Sequence, residues 1–239
     1  MPELPEVEVV KRSLISKTQN LIVKAVKIKD GRLRYKVDRK KIKKIIGLRL
    51  KKISRRSKYL LFFFNRDIVM LVHLGMTGKF FFINNKKTKY KTSFYYDLNE
   101  DKDKKHDRLI FSLSNNQKLI YNDVRKFGFI KFFEIENLDK VSHIKNLGPE
   151  PLSAKFNIKY FKNYILKRNR TIKDILMDQK FLSGLGNIYV NEILFCSGIR
   201  PTKKVYNLSS NEIKKIIKFT KKIISKAIIF GGSSIKDFS

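Results

Sequence analysis

The stretch that decides the fold is a series of short apolar runs: YLLFFF at 59–64, IVMLVHL at 68–74 and KFFFIN at 79–84. Each run is rich in β-branched and aromatic residues and is bounded by Asn, Asp, Gly or Lys, which is typical of a β-strand. Comparable runs occur on both sides of it, at 21–30, 48–54, 108–114, 118–123 and 128–135. Short strands at near-regular spacing predict an antiparallel sandwich or barrel over residues 21–136.

The segments on either side of these strands predict helices. Residues 3–18 place Val7, Val10 and Leu14 on one helical face. NLGPEPLS at 146–153 is a Gly/Pro turn cluster, and every segment after it has helical periodicity, with apolar stripes that include Val190, Ile193 and Leu194 and, further on, Ile213, Ile216 and Ile224. The fold class is therefore α+β, with a β-sandwich domain over 1–136 and a helical domain over 137–239. The polar stretch 84–107 between two strands predicts a mobile loop.

The composition indicates a polyanion as the binding partner. The 239 residues carry 54 Lys and Arg against 21 Asp and Glu, a net charge of +33, and 42% are hydrophobic, enough for a core. A chain this basic attracts nucleic acid through counterion release. A genome biased toward Lys codons explains part of the charge, but not the scarcity of acidic residues. One cysteine excludes an internal disulfide, and no apolar run is long enough to cross a bilayer.

The opening residues MPELPEVE at 1–8 suggest covalent catalysis. A small residue after Met1 normally permits removal of Met1, which would leave Pro2 as a free secondary amine with a pKa of about 8. Such an amine can attack a sugar C1′ and form an iminium. Glu3 can then donate or accept a proton, and Glu6, one turn on, can hold either group in place. From spacing alone, an ordinary helix start with Pro and acidic residues explains the same pattern.

The N-terminus resembles that of the formamidopyrimidine-DNA glycosylase family, and further motifs follow in the family's order along nearly the whole chain. They are SKYLLF at 57–62, HLGMTG at 73–78, KHD at 105–107, NDVRKFG at 122–128, LGPEPLS at 147–153, GLGNIYVNEILF at 184–195 and GGSSIKDF at 231–238. Each short motif is weak alone, whereas the ordered set is specific. The resemblance implies that Pro2 is the nucleophile, that Glu3 is the proton donor, and that Lys58 lies near the phosphate of the damaged nucleotide.

The resemblance also implies residues that bind the duplex. Met76, Arg125 and Phe127 match the three residues that fill the space left by the extruded nucleotide; Met and Phe can wedge the base stack, while Arg reads the opposite base. The family usually has Pro-Arg-Arg-Phe-Gly here, whereas this chain has Val124 and Lys126 around Arg125. The loop is therefore expected to be less rigid.

The resemblance also points to residues that face the DNA backbone. The resemblance places His73 and His106 there, and Lys173 near the same backbone. In GLGNIYVNE, which resembles the helix-two-turns-helix motif, the helix start and Asn187 would present amides to a phosphate. Arg168 is an additional candidate on weaker grounds, together with its neighbour Arg170.

The resemblance implies a DNA glycosylase and abasic-site lyase acting on oxidised purines in double-stranded DNA. We expect a monomer in the bacterial cytoplasm, associated with the nucleoid and not with a membrane. An endonuclease VIII-like enzyme for oxidised pyrimidines and a catalytically impaired DNA-binding fragment remain alternatives. The family continues into a four-cysteine zinc finger, so we expect no metal in this chain and one zinc ion only if the native protein extends beyond Ser239.

Overall fold

The computed structural model describes residues 1–83, 89–91 and 104–232. Its N-terminal half contains two antiparallel sheets. One has four strands in the order β2-β3-β4-β9, and the other has five in the order β1-β7-β8-β5-β6. The strands are β1 Val23–Ile28, β2 Leu50–Arg56, β3 Tyr59–Phe64, β4 Ile68–His73, β5 Gly78–Ile83, β6 Lys89–Lys91, β7 Asp107–Leu113, β8 Lys118–Asp123 and β9 Phe129–Glu134.

The two sheets enclose one apolar core because their strands alternate between inward and outward residues. Leu60 and Phe62 of β3 and Phe80 and Phe82 of β5 are almost fully buried in it. Phe62 and Phe80 meet across the sandwich with their ring centroids 5.8 Å apart. The prediction of a sandwich is thus confirmed. The predicted loop over 84–107 is wrong at 89–91, which pair with β5, and most of the remainder lies outside the described residues.

Helix α1, Leu4–Thr18, packs its apolar face on this sandwich. Val7, Val10 and Leu14 are each at most 1% exposed, as their spacing predicts. A one-turn helix α2, Arg39–Lys43, begins where Asp38 accepts two backbone amides. The sequence did not predict α2, since five residues give no measurable periodicity.

The C-terminal half is helical. Its helices are α3 Ser142–Lys145, α4 Ile158–Ile165, α5 Ile172–Met177, α6 Asn187–Ser197 and α7 Ser210–Ile229. Side chains of Asn157, Thr171 and Ser209 cap α4, α5 and α7 by accepting an amide of the first turn. Helix α6 ends at Gly198, whose left-handed φ of 68° suits glycine.

The helical half has its own apolar core, and one residue from the N-terminus belongs to it. Val190, Ile193 and Leu194 of α6 pack with Ile213, Ile216 and Ile224 of α7, as the predicted stripes require. Leu4 joins this second core, and its amide donates to the carbonyl of Gly184 at 3.0 Å. The start of α1 therefore ties the sandwich to the helical half. No helix among the described residues is long and apolar enough to cross a membrane.

Candidate active site

Glu3 lies at the junction of the two halves, where the turn before α6 holds its carboxylate. The amide of Gly186 donates to Oε2, and the amide of Ile188 donates to Oε1 at 3.1 Å. A helix start attracts a carboxylate because its first amides have no partner within the helix. A Cβ on Gly186 would overlap this carboxylate, so the approach requires glycine. Glu3 thus occupies two of the amides at this helix start, and the predicted phosphate contact of the helix start stays a prediction.

Lys58 lies near Glu3, in the two-residue turn formed by Ser57 and Lys58 between β2 and β3. Its side chain is largely buried, and burial lowers the pKa of Lys58 although Glu3 and Glu6 act in the opposite direction. Burial also raises the pKa of Glu3, against the lowering effects of Lys58 and the two amides. Both shifts move the pKa of the group toward neutral pH, which is the direction that general acid–base chemistry requires.

Glu6 fixes the geometry of Glu3 from one turn further on. Its Oε2 accepts the amide of Glu3 at 2.8 Å, and its Oε1 accepts the hydroxyl of Tyr189 at 2.6 Å. Tyr189 is 1% exposed on α6. The hydrogen bond from the Glu3 amide to Glu6 is consistent with the predicted role of Glu6 in holding Glu3 in place. We define the catalytic corner as Glu3, Glu6, Lys58, Gly184 and Gly186.

Pro2 directly precedes this corner. Pro2 is buried, whereas the preceding Met1 is 43% exposed. In a chain that begins with Met1, the nitrogen of Pro2 belongs to a peptide bond and cannot act as an amine. The role of Pro2 as nucleophile stays a prediction that depends on removal of Met1.

The three predicted wedge residues lie together on two adjoining turns. We call 75–78 and 124–128 the wedge loops. Met76 is 41% exposed and Phe127 is 44% exposed, while the guanidinium carbon of Arg125 lies 4.6 Å from the Phe127 ring centroid. Exposed large side chains on turns, rather than in the core, are what insertion into a duplex requires.

The backbone of the wedge loops is held by one buried carboxylate. Asp123 is fully buried and accepts the hydroxyl of Thr77 at 2.6 Å and the amide of Gly128 at 2.8 Å. Thr77 in turn accepts the amide of Arg125 at 2.9 Å. The backbones of the two loops are therefore linked through hydrogen bonds to Asp123 and Thr77. The expectation of a less rigid loop stays a prediction.

Lys126, the other departure from the family motif, is fixed by a second carboxylate. Its Nζ lies 2.9 Å from Oδ2 of Asp30, which also pairs with Arg108 at 3.0 Å. Arg108 donates from Nε to the carbonyl of Asp123. The guanidinium of Arg32 and the ammonium of Lys126 hold the pKa of Asp30 well below its usual range.

His73 lies between the catalytic corner and the wedge loops, half buried in an aromatic cluster. Its ring stacks on Phe129 with an interplanar angle of 13°, and its Nδ1 accepts the amide of Gly75 at 3.0 Å. Burial, with the charges of Lys58 and Arg34, lowers the pKa of His73 to about 4. The ring is therefore neutral at pH 7 and supports the turn at Gly75. Its predicted contact with the DNA backbone stays a prediction.

The remaining predicted DNA-binding residues lie on the surface. His106 is half buried in a short 3-10 turn just before β7, and Asn187 is exposed at the start of α6. Arg168 is exposed with its guanidinium 4.2 Å from the Tyr164 ring, and Lys173 is partly exposed on α5. Arg170 pairs with Asp178 at 2.8 Å. Their phosphate contacts stay predictions.

Among the described residues, no three His, Cys, Asp or Glu side chains are grouped as a metal site would require. The single cysteine, Cys196, is exposed on α6. The four-cysteine site implied by the resemblance does not fit the residues present here. A zinc ion held beyond Ser239 stays a prediction, and the predicted GGSSIKDF motif lies outside the described residues after Gly232.

Sequence reasoning missed Tyr189, Glu150, Asp123 and Thr77. Glu150 and Asp123 stand within the motifs LGPEPLS and NDVRKFG, and Glu150 lies between two prolines. A carboxylate inside a turn motif, in a chain with few acidic residues, is the signal that could have identified them. Their partners could not be read from the sequence, because Glu150 meets Ser57, a residue 93 positions away.

Two family models match the chain. The "Formamidopyrimidine-DNA glycosylase N-terminal domain" covers residues 1–130, and the "Formamidopyrimidine-DNA glycosylase H2TH domain" covers 147–239. The formamidopyrimidine-DNA glycosylase of Rickettsia bellii is 42% identical over 238 residues, with 100% of this chain and 82% of the relative covered. The Rickettsia felis protein of the same name is 41% identical, with 100% and 81% covered.

Solved structures of a Lactococcus lactis protein share the fold. Its Fpg bound to DNA containing an abasic site superposes with a TM-score of 0.84 at 32% identity, covering 98% of this chain and 82% of that chain. The Lactococcus lactis Fpg (MutM) with N7-benzyl-Fapy-dG DNA gives 0.84 and 32%, covering 98% and 81%.

The sandwich, the helix-two-turns-helix and the buried catalytic corner between them define the class of the DNA glycosylases that are also lyases. Both family models and the Rickettsia relatives agree with this class over nearly the whole chain. The chain belongs to the formamidopyrimidine-DNA glycosylase family.

Proposed function

We propose that this chain removes oxidised purines, such as 8-oxoguanine and formamidopyrimidines, from double-stranded DNA and then nicks the abasic site by β- and δ-elimination. The observation that carries the proposal is the buried carboxylate of Glu3, held by the amides of Gly186 and Ile188 beside Lys58 at the N-terminus. Its relatives carry the corresponding name. The enzyme works on nucleoid DNA in the bacterial cytoplasm.

The reaction begins when the free amine of Pro2 attacks C1′ of the damaged nucleotide. The N-glycosidic bond breaks, and the base leaves with a proton supplied by Glu3, whose raised pKa keeps a protonated fraction available. Loss of the ring oxygen bond at C1′ gives an iminium between Pro2 and the opened sugar. Removal of a 2′ proton then expels the 3′ phosphate, and a second elimination expels the 5′ phosphate.

Lys58 serves the eliminations. Its side chain is buried beside Glu3, and its lowered pKa provides a neutral amine that can take a proton or, once protonated, neutralise a leaving phosphate. The wedge loops serve recognition. Met76 and Phe127 fill the space of the extruded nucleotide, and Arg125 hydrogen-bonds the opposite base.

The experiment is borohydride trapping on duplexes with one lesion opposite cytosine. We expect a covalent protein–DNA adduct with 8-oxoguanine and with an abasic site, from protein whose intact mass lacks Met1. An adduct with oxidised pyrimidines but not with 8-oxoguanine would favour the endonuclease VIII-like alternative. DNA binding with no adduct on either substrate would favour the non-catalytic alternative. Met1 retained in an active preparation would overturn the role of Pro2.

A further inference from the structure

We propose that Glu150, together with Arg55 and Arg56, is a positioning group that sets the place of Lys58 relative to Glu3. The inference rests on the proposed function, in which both residues act on one nucleotide. Glu150 belongs to the turn motif between the two halves, to which no role has been given above. Arg55 and Arg56 end strand β2. We call these three residues the arginine–glutamate clamp.

The first contact of the clamp is with Ser57, the turn residue directly before Lys58. Oε1 of Glu150 accepts the amide of Ser57 at 2.7 Å, and Nη1 of Arg55 donates to the carbonyl of Ser57 at 3.0 Å. Both polar backbone groups of Ser57 are thus held by clamp side chains. Ser57 is 1% exposed and has a left-handed φ of 56°. A residue with a Cβ keeps this conformation only where its surroundings impose it.

The second contact is with the turn that holds Glu3. Arg56 donates from Nη1 to the hydroxyl of Ser183 at 2.9 Å and from Nη2 to the carbonyl of Gly148 at 2.7 Å. Ser183 directly precedes Gly184, which accepts the amide of Leu4 at 3.0 Å. Two residues later, Gly186 donates to Glu3. The clamp therefore contacts both the residue before Lys58 and the turn that binds Glu3, and it links these two segments.

The third contact is with helix α1, which begins directly after Glu3. Nε of Arg55 donates to Oε2 of Glu8 at 2.9 Å, and its two Nη atoms donate to both oxygens of Glu150 at 3.0 and 2.8 Å. Planar guanidinium and carboxylate groups that pair at two points fix orientation as well as distance. Three chain segments, each of which carries one part of the catalytic corner, thus meet at the clamp.

The clamp is sheltered from solvent. The side chains of Arg55, Glu8 and Glu150 are 11%, 9% and 21% exposed. Burial alone would lower the pKa of Arg55, but Glu150 and Glu8 raise it above its ordinary value. Removing one carboxylate would leave a sheltered guanidinium short of a partner, and the neighbouring turns would rearrange to bring in water. Such a rearrangement moves Lys58, because only Ser57 separates it from Arg56.

The test compares Glu150→Ala and Glu150→Gln with wild-type protein and with Glu136→Gln. Glu136 is an exposed carboxylate near the end of the sandwich, so its variant controls for loss of one negative charge. Single-turnover cleavage of an abasic-site duplex gives the rate, titration gives KM, and thermal unfolding reports stability. A displacement of about 1 Å in an active site can cost up to roughly 100-fold in rate.

We expect Glu150→Ala to lower the single-turnover rate by about 10- to 100-fold while KM changes by less than about twofold. Glu150→Gln keeps an oxygen that can accept the Ser57 amide, so it should recover part of the rate. Glu136→Gln should match wild type. A lower unfolding temperature with an unchanged rate would overturn the proposal and leave the clamp a merely structural feature.

A second measurement keeps the proposal testable whether or not the protein is active. An amine-modifying reagent followed by mass spectrometry reads the accessibility of Lys58, with the equally buried Lys79 as reference; these lysines are 7% and 8% exposed. Faster modification of Lys58, but not Lys79, in Glu150→Ala supports the clamp even if wild-type protein forms no borohydride adduct. An unchanged rate of Lys58 modification overturns the proposal.

If Glu150→Ala does not fold, Ser183→Ala is the second variant. It removes one acceptor of Arg56 and should lower the single-turnover cleavage rate a few-fold.

Discussion

The catalytic corner and the wedge loops use buried carboxylates in opposite ways. In the corner, the carboxylate of Glu3 is the proposed proton donor, and the amides of Gly186 and Ile188 hold it. In the wedge loops, the carboxylate of Asp123 reacts with nothing; it holds the backbone so that Met76 and Phe127 can stay exposed. The paired strands β3 and β4 connect the two regions: Lys58 directly precedes β3, and His73 is the last residue of β4.

The difference shows how one small fold meets two requirements. Proton transfer needs groups removed from water with fixed partners, because burial is what shifts their pKa values. Insertion into a duplex needs large apolar side chains that stay in contact with water before binding. Substitutions in the corner should therefore change the chemical step, and substitutions in the wedge loops should change recognition.

The largest expected effect comes from the amine that precedes the corner. Pro2→Gly, in protein without Met1, should lower excision and borohydride trapping on the order of 1,000-fold, because glycine keeps an amine but loses the ring that orients it. The proline ring fixes the direction of its nitrogen, whereas glycine does not. Trapping is quantified by gel shift of labelled DNA. Trapping at the wild-type rate would show that another residue is the nucleophile, and the corner would lose its assigned role.

Gly186→Ala is expected to have the next largest effect. A Cβ at this position would overlap the Glu3 carboxylate, so that Glu3 must leave its two amides. We expect roughly a 100-fold lower single-turnover excision rate, with DNA binding nearly unchanged. Gly31→Ala is the matched control, since its added Cβ meets its nearest atoms at 3.5 and 3.6 Å. Equal rates for the two variants would show that the position of Glu3 is unimportant.

The third prediction concerns His73, which lies between the two regions. Its pKa falls from 6.5 to about 4 in the folded state, so the unfolded chain binds the proton first as pH decreases. The contribution of His73 to the free energy of unfolding is therefore fully present above pH 6.5. It is lost as the pH falls toward 4, and the total loss is at most about 3 kcal/mol. His73→Asn keeps an acceptor for the Gly75 amide and does not titrate.

The measurement for His73 is urea unfolding of both proteins at pH 7 and at pH 4.5. The free energy of unfolding should fall more steeply in wild-type protein than in His73→Asn, because all other titrating groups are shared. Parallel curves would show that the ring is not held neutral by its surroundings. The packing between the corner and the wedge loops would then be looser than the structure indicates.

The sequence predicted those parts of the molecule that depend on local periodicity. The stripe of Ile213, Ile216 and Ile224 on α7 is buried as predicted, and so is the α1 face of Val7 and Val10. The identity of the corner residues came from the resemblance, since spacing alone fits an ordinary helix start at Pro2 and Glu3. The choice of Met76 and Phe127 as wedge residues also came from the resemblance, and both are exposed.

The sequence could not predict contacts between distant segments. Glu150 meets Arg55, and Glu3 meets Gly186, across 95 and 183 positions of the chain. A charged residue in a turn is ordinarily solvated, so neither its burial nor its partner can be inferred from its neighbours. Strand β6 was missed for a related reason: three residues, Lys89–Lys91, show no alternation, and only pairing with β5 defines them.

The smallest expected effect belongs to the wedge loops and concerns selectivity rather than rate. The backbone of Arg125 is held by Thr77, while its guanidinium only rests on the Phe127 ring and is exposed. A guanidinium in this state is free to turn toward a base, and a two-point contact with a base is worth about 1–3 kcal/mol of discrimination.

Arg125→Ala should therefore reduce the ratio of excision opposite cytosine to excision opposite adenine by about tenfold, while binding to undamaged DNA weakens much less. Thr77→Val, which removes the hydroxyl that holds the loop but keeps Arg125, should shift the ratio in the same direction by a smaller factor. An unchanged ratio in Arg125→Ala would mean that the opposite base is read elsewhere, and that the wedge loops contribute shape alone.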